Sequence, residues 1–324
     1  MSRTSRMAGA ALGVLVLTGA LAACGGESLE ERSGDGGRTP AGGKGALVVG
    51  SAGFTEANVL AELYAQVLRD AGHTTSVKTV ENRELYEPSL EKGEIDVVPE
   101  YAATLAEFLN AKVNGAERAA RRPVASSDVT ATVAALEKLA EPRGLKVLPA
   151  GAAVDQNAFA VTAEFAAKNK LKTLSDLGAA KLRVRIAAGD ECEIRPFCAP
   201  GLKKTYGIDV AGIDPKGVGT PQAKQAVKDG IDQLVLTTTT DATLGNFGLV
   251  LLEDDKKLQN ADNVLPVVNA KDAGSAEIAA ALGKVTRALT TADLVELNRK
   301  VDAERAKPAD AARAYLLSKG LIGK

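Results

Sequence analysis

The sequence predicts an α/β fold with mainly parallel sheets. Short runs rich in Val, Leu and Ile recur along the chain, and stretches with apolar residues three and four apart lie between them. Glycines and capping residues punctuate the joints. At 45% hydrophobic over 324 residues, there is material for one large domain or two medium ones. Strands that alternate with helices build parallel sheets through helical crossovers. No internal repeat is evident in the sequence.

The first residues do not belong to that pattern. Arg3 and Arg6 precede a mostly apolar stretch, 7–23, which Gly and Thr interrupt and which falls short of the ~20 residues a membrane span needs. Residues 1–23 therefore read as a secretory signal. Their junction, Leu21-Ala22-Ala23-Cys24, resembles a bacterial lipobox. That likeness implies cleavage before Cys24, diacylation of that cysteine, and an extracytoplasmic chain held to the cell membrane by its lipid. Residues 24–44, rich in Gly, Ser and charge, read as a flexible tether.

The first strand is expected at 46–50. A helix follows, with Thr55 as N-cap, Glu56 in its first turn, Leu60, Leu63, Tyr64, Val67 and Leu68 at helical spacing, and Gly72 as its stop. Strands at 76–80 and 95–98 flank a short helix at 89–92. A helix at 129–139 leads to a strand at 145–148. Further strands are expected at 158–161, 182–186, 234–236 and 249–252. Helical stretches fall at 163–169, 174–177, 201–206 and 222–228, and a closing set at 276–288, 291–304 and 308–319.

Composition narrows the function. Lys+Arg 40 against Asp+Glu 41 leaves no basic excess, so nucleic acid is not an expected partner. No phosphate loop, Gly-x-Ser-x-Gly or His-Glu-x-x-His run occurs, and the single histidine, His73, is expected at the surface. No enzymatic activity, metal or cofactor is expected. With Cys24 assigned to lipid, Cys192 and Cys198 remain, and two cysteines in an exported chain are expected to form a disulfide. The alternative, a pair of metal ligands, has no histidine near it in sequence.

Residues 48–105 hold the specific signal. Val49-Gly50-Ser51-Ala52-Gly53-Phe54-Thr55-Glu56 is followed by Asn82-Arg83-Glu84 and by Gly93-Glu94-Ile95-Asp96-Val97-Val98-Pro99-Glu100-Tyr101. These resemble the substrate-binding proteins of osmoprotectant ABC importers, which take up glycine betaine, choline or carnitine. The family pattern runs G-S-K-x-F-T-E, S-R-E and G-E-I-D-x-x-P-E-Y-T-G-T. The likeness continues through 171–177, 200–207, 249–256 and Glu296-Leu297-Asn298. It implies a two-lobed, periplasmic-binding-protein-like fold with a hinged cleft. Lobe 1 would comprise 45–153 plus 242–324 and lobe 2 would comprise 154–241, with crossings near 150–157 and 237–249. It further implies a small-molecule ligand in the cleft and an ABC transporter permease as partner.

The family cages a quaternary ammonium with tyrosines, whose ring faces attract a permanent cation. A Lys, an Arg and a Thr hold the carboxylate where the ligand has one. Tyr101 matches the cage Tyr of the P-E-Y motif, Thr104 the Thr three residues on, and Arg195 the carboxylate-binding Arg, with Glu191 an acid nearby. On the residues alone, an Arg in a loop closed by Cys192 and Cys198 suits an anion clamp or a surface ion pair. The departures are equally specific. The Lys of G-S-K is Ala52, and three further cage tyrosines fall on Asn157, Thr238 and Asp262. Asp262 offers a countercharge, and Phe247 and Tyr86 are candidate substitute rings. Such a pocket suits a multiply hydrogen-bonding solute or a primary amine better than a trimethylammonium. The second reading, a lipid-anchored sensor of the same fold signalling to a receptor, would use the same cleft.

Overall fold

The computed structural model describes residues 44–80 and 82–323; the expected signal, Cys24 and the tether up to residue 43 lie outside the described residues. Among the described residues, ten strands form two five-stranded sheets. The first sheet holds β1 (Lys44–Ser51), β2 (His73–Thr79), β3 (Val97–Tyr101), β4 (Leu145–Val147) and β10 (Val264–Asn269), in the order β2-β1-β3-β10-β4. The second holds β5 (Asn157–Thr162), β6 (Arg183–Ala188), β7 (Asp209–Pro215), β8 (Leu234–Thr238) and β9 (Leu249–Leu252), in the order β7-β6-β8-β5-β9. The two orders are the same plan used twice, an internal repeat that the sequence does not display.

The expectation of mainly parallel sheets needs correction. β1 pairs in parallel with β2 and β3, and β6 with β7 and β8. β10 and β5 are antiparallel to both of their neighbours. The reason lies in the crossings. β3 and β8 run toward the gap between the lobes and end there, whereas β5 and β10 enter their sheets from that gap and run away from it.

The crossings themselves pair. An antiparallel bridge joins Val154 to Asn263, Val264 N–H donates to the Ala153 carbonyl at 2.9 Å, and Asp155 N–H donates to the Asp262 carbonyl at 3.2 Å. The return crossing was expected at 237–249, with lobe 1 resuming at 242. Instead β9 is an edge strand of the second sheet, because Leu249 and Leu252 bury against that lobe's core. The return lies between β9 and β10.

Each sheet is covered on both faces. On one face of the first lies helix α1 (Thr55–Asp70), which buries Leu60, Leu63, Tyr64 and Leu68 against the helices Ala276–Ala288, Thr291–Asp302 and Pro308–Ser318. On the other lie α2 (Arg83–Lys92) and α3 (Ala102–Asn114), with Leu90, Leu105 and Leu109 in a second core layer. α1 lacks the expected side-chain cap. Its N-cap residue is Phe54, and the Thr55 hydroxyl instead donates to Asp302 at 2.7 Å. His73, expected at the surface, is half-buried in β2 with both ring nitrogens shielded. Gly93 ends α2 in a left-handed conformation, φ 76°, which L side chains rarely adopt, and a Cβ there would also displace the Asp272 carboxylate, so the backbone favours the glycine of the G-E-I-D motif. Asp96 of the same motif accepts the Val48 N–H at 2.6 Å and ties β1 to the start of β3.

Candidate ligand-binding cleft

A cavity of about 480 Å³ opens between the lobes at the ends of β3 and β8 and the starts of β5 and β10. Carboxyl ends of strands in open α/β sheets are where ligands collect. From the first lobe come Tyr101, Thr104 and Glu107 of β3 and α3; from the second, Asn157, Arg195, Phe197 and Thr238; from the crossings, Asp155, Gln156, Gln259, Asn260 and Asp262. Six residues singled out from the sequence, Tyr101, Thr104, Asn157, Arg195, Thr238 and Asp262, are thus brought to one cavity. The seventh, Glu191, sits in the turn Asp190–Glu193, and its side chain lies outside the described residues.

Local folding explains several of these placements. Cys192 and Cys198 are disulfide-bonded, with 5.2 Å between their Cα atoms, and both are buried in the second lobe's core. The bond closes the loop that carries Arg195 and Phe197, and Gln259 Nε2 donates to the Phe197 carbonyl at 2.9 Å. Asp262 serves α3. Its carboxylate accepts Thr104 N–H at 2.8 Å and the Thr104 hydroxyl, which satisfies a first-turn donor that no residue at the helix start caps. Burial lifts the Asp262 carboxyl above the usual carboxylate range despite these bonds.

Tyr101 is half-buried, and its hydroxyl donates to Glu56 Oε1 at 2.7 Å. Glu56, only 4% exposed, also accepts from Asn298 Nδ2 at 2.8 Å, and that amide reaches the Thr240 carbonyl at 3.4 Å. The Thr240 hydroxyl donates to Asp155 Oδ1 at 2.9 Å. A chain of polar contacts therefore runs from α1 through Tyr101 and Asn298 to the Thr238–Thr240 corner of the second lobe. Burial, and then the charge of Glu56, push the Asp155 carboxyl up to about 6.

The proposed substitute rings are elsewhere. Tyr86 is buried with its hydroxyl on Glu100 at 2.6 Å, and Phe247 lies under Lys224 at 5.7 Å, beside a different cavity. Ala52 packs against the first lobe's inner core rather than lining the cavity. Among the described residues the lining aromatics are Tyr101 and Phe197. Sequence reasoning missed Asp155, Gln156, Glu107, Phe197, Gln259 and Asn260. The first two are the polar residues just before Asn157, a cue that was present in the crossing.

Two α/β lobes, joined by paired crossings and sharing a polar cavity, define a solute-binding protein. Residues 45–318 match the substrate binding domain of ABC-type glycine betaine transport systems, and the chain belongs to that family, whose members are transport components and not enzymes. The chain is 25% identical over 289 residues to the glycine-betaine-binding protein of Pseudomonas aeruginosa, covering 85% of this chain and 88% of that one. Apo YehZ from Escherichia coli shares the fold with a TM-score of 0.71 at 23% identity, over 86% of this chain and 99% of that one. A glycine betaine/carnitine/choline ABC transporter structure shares it at 0.72 and 18% identity, over the same shares of the two chains.

Proposed function

We propose that the chain is an extracytoplasmic lipoprotein, anchored through Cys24, that captures a small polar solute and delivers it to the permease of an ABC importer of the osmoprotectant type. The tyrosine cage for a quaternary ammonium is largely replaced by hydrogen-bonding groups. The observation that carries this reading is the lining of the cleft: amides, hydroxyls and carboxylates from both lobes surround two rings, Tyr101 and Phe197. A cation over an aromatic face gains ~0.5–2 kcal/mol. Exchange of three cage tyrosines for Asn157, Thr238 and Asp262 removes most of that gain. A cleft lined by both lobes also gives the ligand its leverage, since closure around it favours one arrangement for the transporter to recognise.

The experiment combines anchor and pocket. Expressed with Cys24→Ala, the chain is expected to leave the membrane fraction. In calorimetry the released protein is expected to bind glycine betaine no better than high micromolar, about −5.5 kcal/mol or weaker. Retention on membranes after a salt wash overturns the anchor. Low-micromolar betaine binding that survives Tyr101→Phe and fails in Tyr101→Ala overturns the altered pocket.

A further inference from the structure

Besides Glu107, whose carboxylate accepts the Val124 and Ala125 N–H groups, three carboxyl groups lie at or just behind the cleft lining. Glu56 is buried behind Tyr101, Asp155 lies at the start of the second lobe, and Asp262 sits beneath α3. Asp155 feels the charges of both others. The groups that face Asp155 are Glu56 from α1, Tyr101 from β3, Asp262 from the return crossing, and the hydroxyls of Thr238 and Thr240. Among the described residues no lysine or arginine forms an ion pair with Asp155. The charge of Arg83 reaches Asp262, but its two guanidinium contacts, at 2.9 and 2.6 Å, go to Glu100. Half-buried carboxylates without a partner cation are costly, and proteins ordinarily pair them. Here Asp155 and Asp262 both line the cavity.

The second lobe brings a basic group to the same cavity. Arg195, carried on the disulfide loop, is the arginine of the cavity lining, which also holds the amides of Asn157, Gln156, Gln259 and Asn260. We infer that the solute is a zwitterion of amino-acid type, whose ammonium keeps its N–H bonds and donates them to Asp155 beside Asp262, while its acidic group reaches Arg195. The inference rests on the proposed solute-binding role and names the chemical class of the ligand. N–H donors matter because the carboxylate lone pairs require hydrogen bonds, which a trimethylated nitrogen cannot supply. A trimethylammonium also holds its charge away from the acceptor, so it loses Coulomb energy as well as the bond.

The test holds the acid constant and methylates the nitrogen. Calorimetry on the purified protein at pH 7.5 would use glycine, N-methylglycine, N,N-dimethylglycine and glycine betaine, and, for a longer reach, 4-aminobutyrate with its N-trimethyl derivative. Affinity is expected to fall with each methyl group, by about tenfold or more between the primary and trimethyl members of the better-bound series. Asp155→Asn keeps the acceptor for Thr240 and should weaken the primary amine by about tenfold while it changes the trimethyl member by less than about threefold. On the unmutated protein, primary-amine affinity should drop between pH 7.5 and 5, which keeps the test alive whatever the variant does. Tightest binding by the trimethyl members, equal effects of Asp155→Asn on both, or no binding in either series overturns the inference. Mass spectrometry of the solute that co-purifies with the protein reads the broader role separately. A cleft-bound solute of another class leaves that role standing, and only the absence of any solute together with no binding removes both.

Discussion

Glu100 precedes Tyr101 in β3 and Asp155 lines the cleft, and their surroundings are opposite. Glu100 is 1% exposed and is bracketed by Arg83, through two contacts, and by the Tyr86 hydroxyl. Arg83 in turn lies 5.9 Å from the ring of Phe108. The second lobe has its own version: Lys224 donates to Asp241 at 2.8 Å, with Thr237 and Thr243 completing the acid's shell. Burial opposes ionisation of Asp241, yet Lys224 and the hydroxyls hold its carboxyl below the usual range. Asp155 has hydroxyls but, among the described residues, no ion-pair partner, and it is raised. The difference separates charges that serve the fold from charges available to a ligand. A structural acid carries its own counterion; on the reading proposed above, the acid at the cleft is left for an incoming one to complete.

The largest effect should come from breaking the complete pair. Arg83→Met strands Glu100 in the core, and loss of one partner of a buried ion pair costs about 3–5 kcal/mol. Urea denaturation measures it; a loss below about 1 kcal/mol would show that water reaches Glu100 and that the contrast with Asp155 is overdrawn. Lys224→Met should cost less, about 2 kcal/mol, because Thr237 Oγ1 at 2.6 Å and Thr243 N at 2.9 Å still donate to Asp241. If Lys224→Met proves the more damaging of the two, hydroxyls and amides do little to support a buried carboxylate here.

This contrast also marks what the sequence could and could not reveal. The motifs that identify the family lie mostly in the structural class. Arg83 of Asn82-Arg83-Glu84 and Glu100 of Pro99-Glu100-Tyr101 hold each other, Asp96 pins β1, and Gly93 clears Asp272. They locate the cleft because Tyr101 and Thr104 follow them directly. The lobe boundary and the remaining lining were harder to read, because they depend on how the crossings pair. β10 shows why. Pro266 argues against a central strand. It nevertheless sits opposite Pro99 of β3, and its carbonyl turns to Leu148 N–H at 2.9 Å, so its missing donor removes no bond from the β3 ladder. Asp155 and Phe197 reach the cavity only through that same geometry: one from the crossing, the other from the loop the disulfide closes.

The smallest effect is the most discriminating, because its sign is reversed. A carboxyl held at about 6 in the folded chain, against ~3.9 unfolded, keeps its proton longer in the native state. Between roughly pH 4 and 6 the folded protein therefore binds more protons than the unfolded one, and stability falls as pH rises through that window and levels off above it. Asp155→Asn removes the penalty. At pH 7 the ligand-free variant should be more stable than the parent, on the order of 1 kcal/mol once the residue's partial exposure is allowed for, and near pH 4 the two should coincide. Asp232 complicates the parent curve, since burial and its neighbour Asp214 also push it up to about 6, with Arg185 and Lys216 opposing. It lies in the second lobe and is present in both proteins, so the difference between their thermal melts across pH isolates Asp155. A variant less stable than the parent at pH 7 would place Asp155 with Glu100, as a charge the fold itself requires.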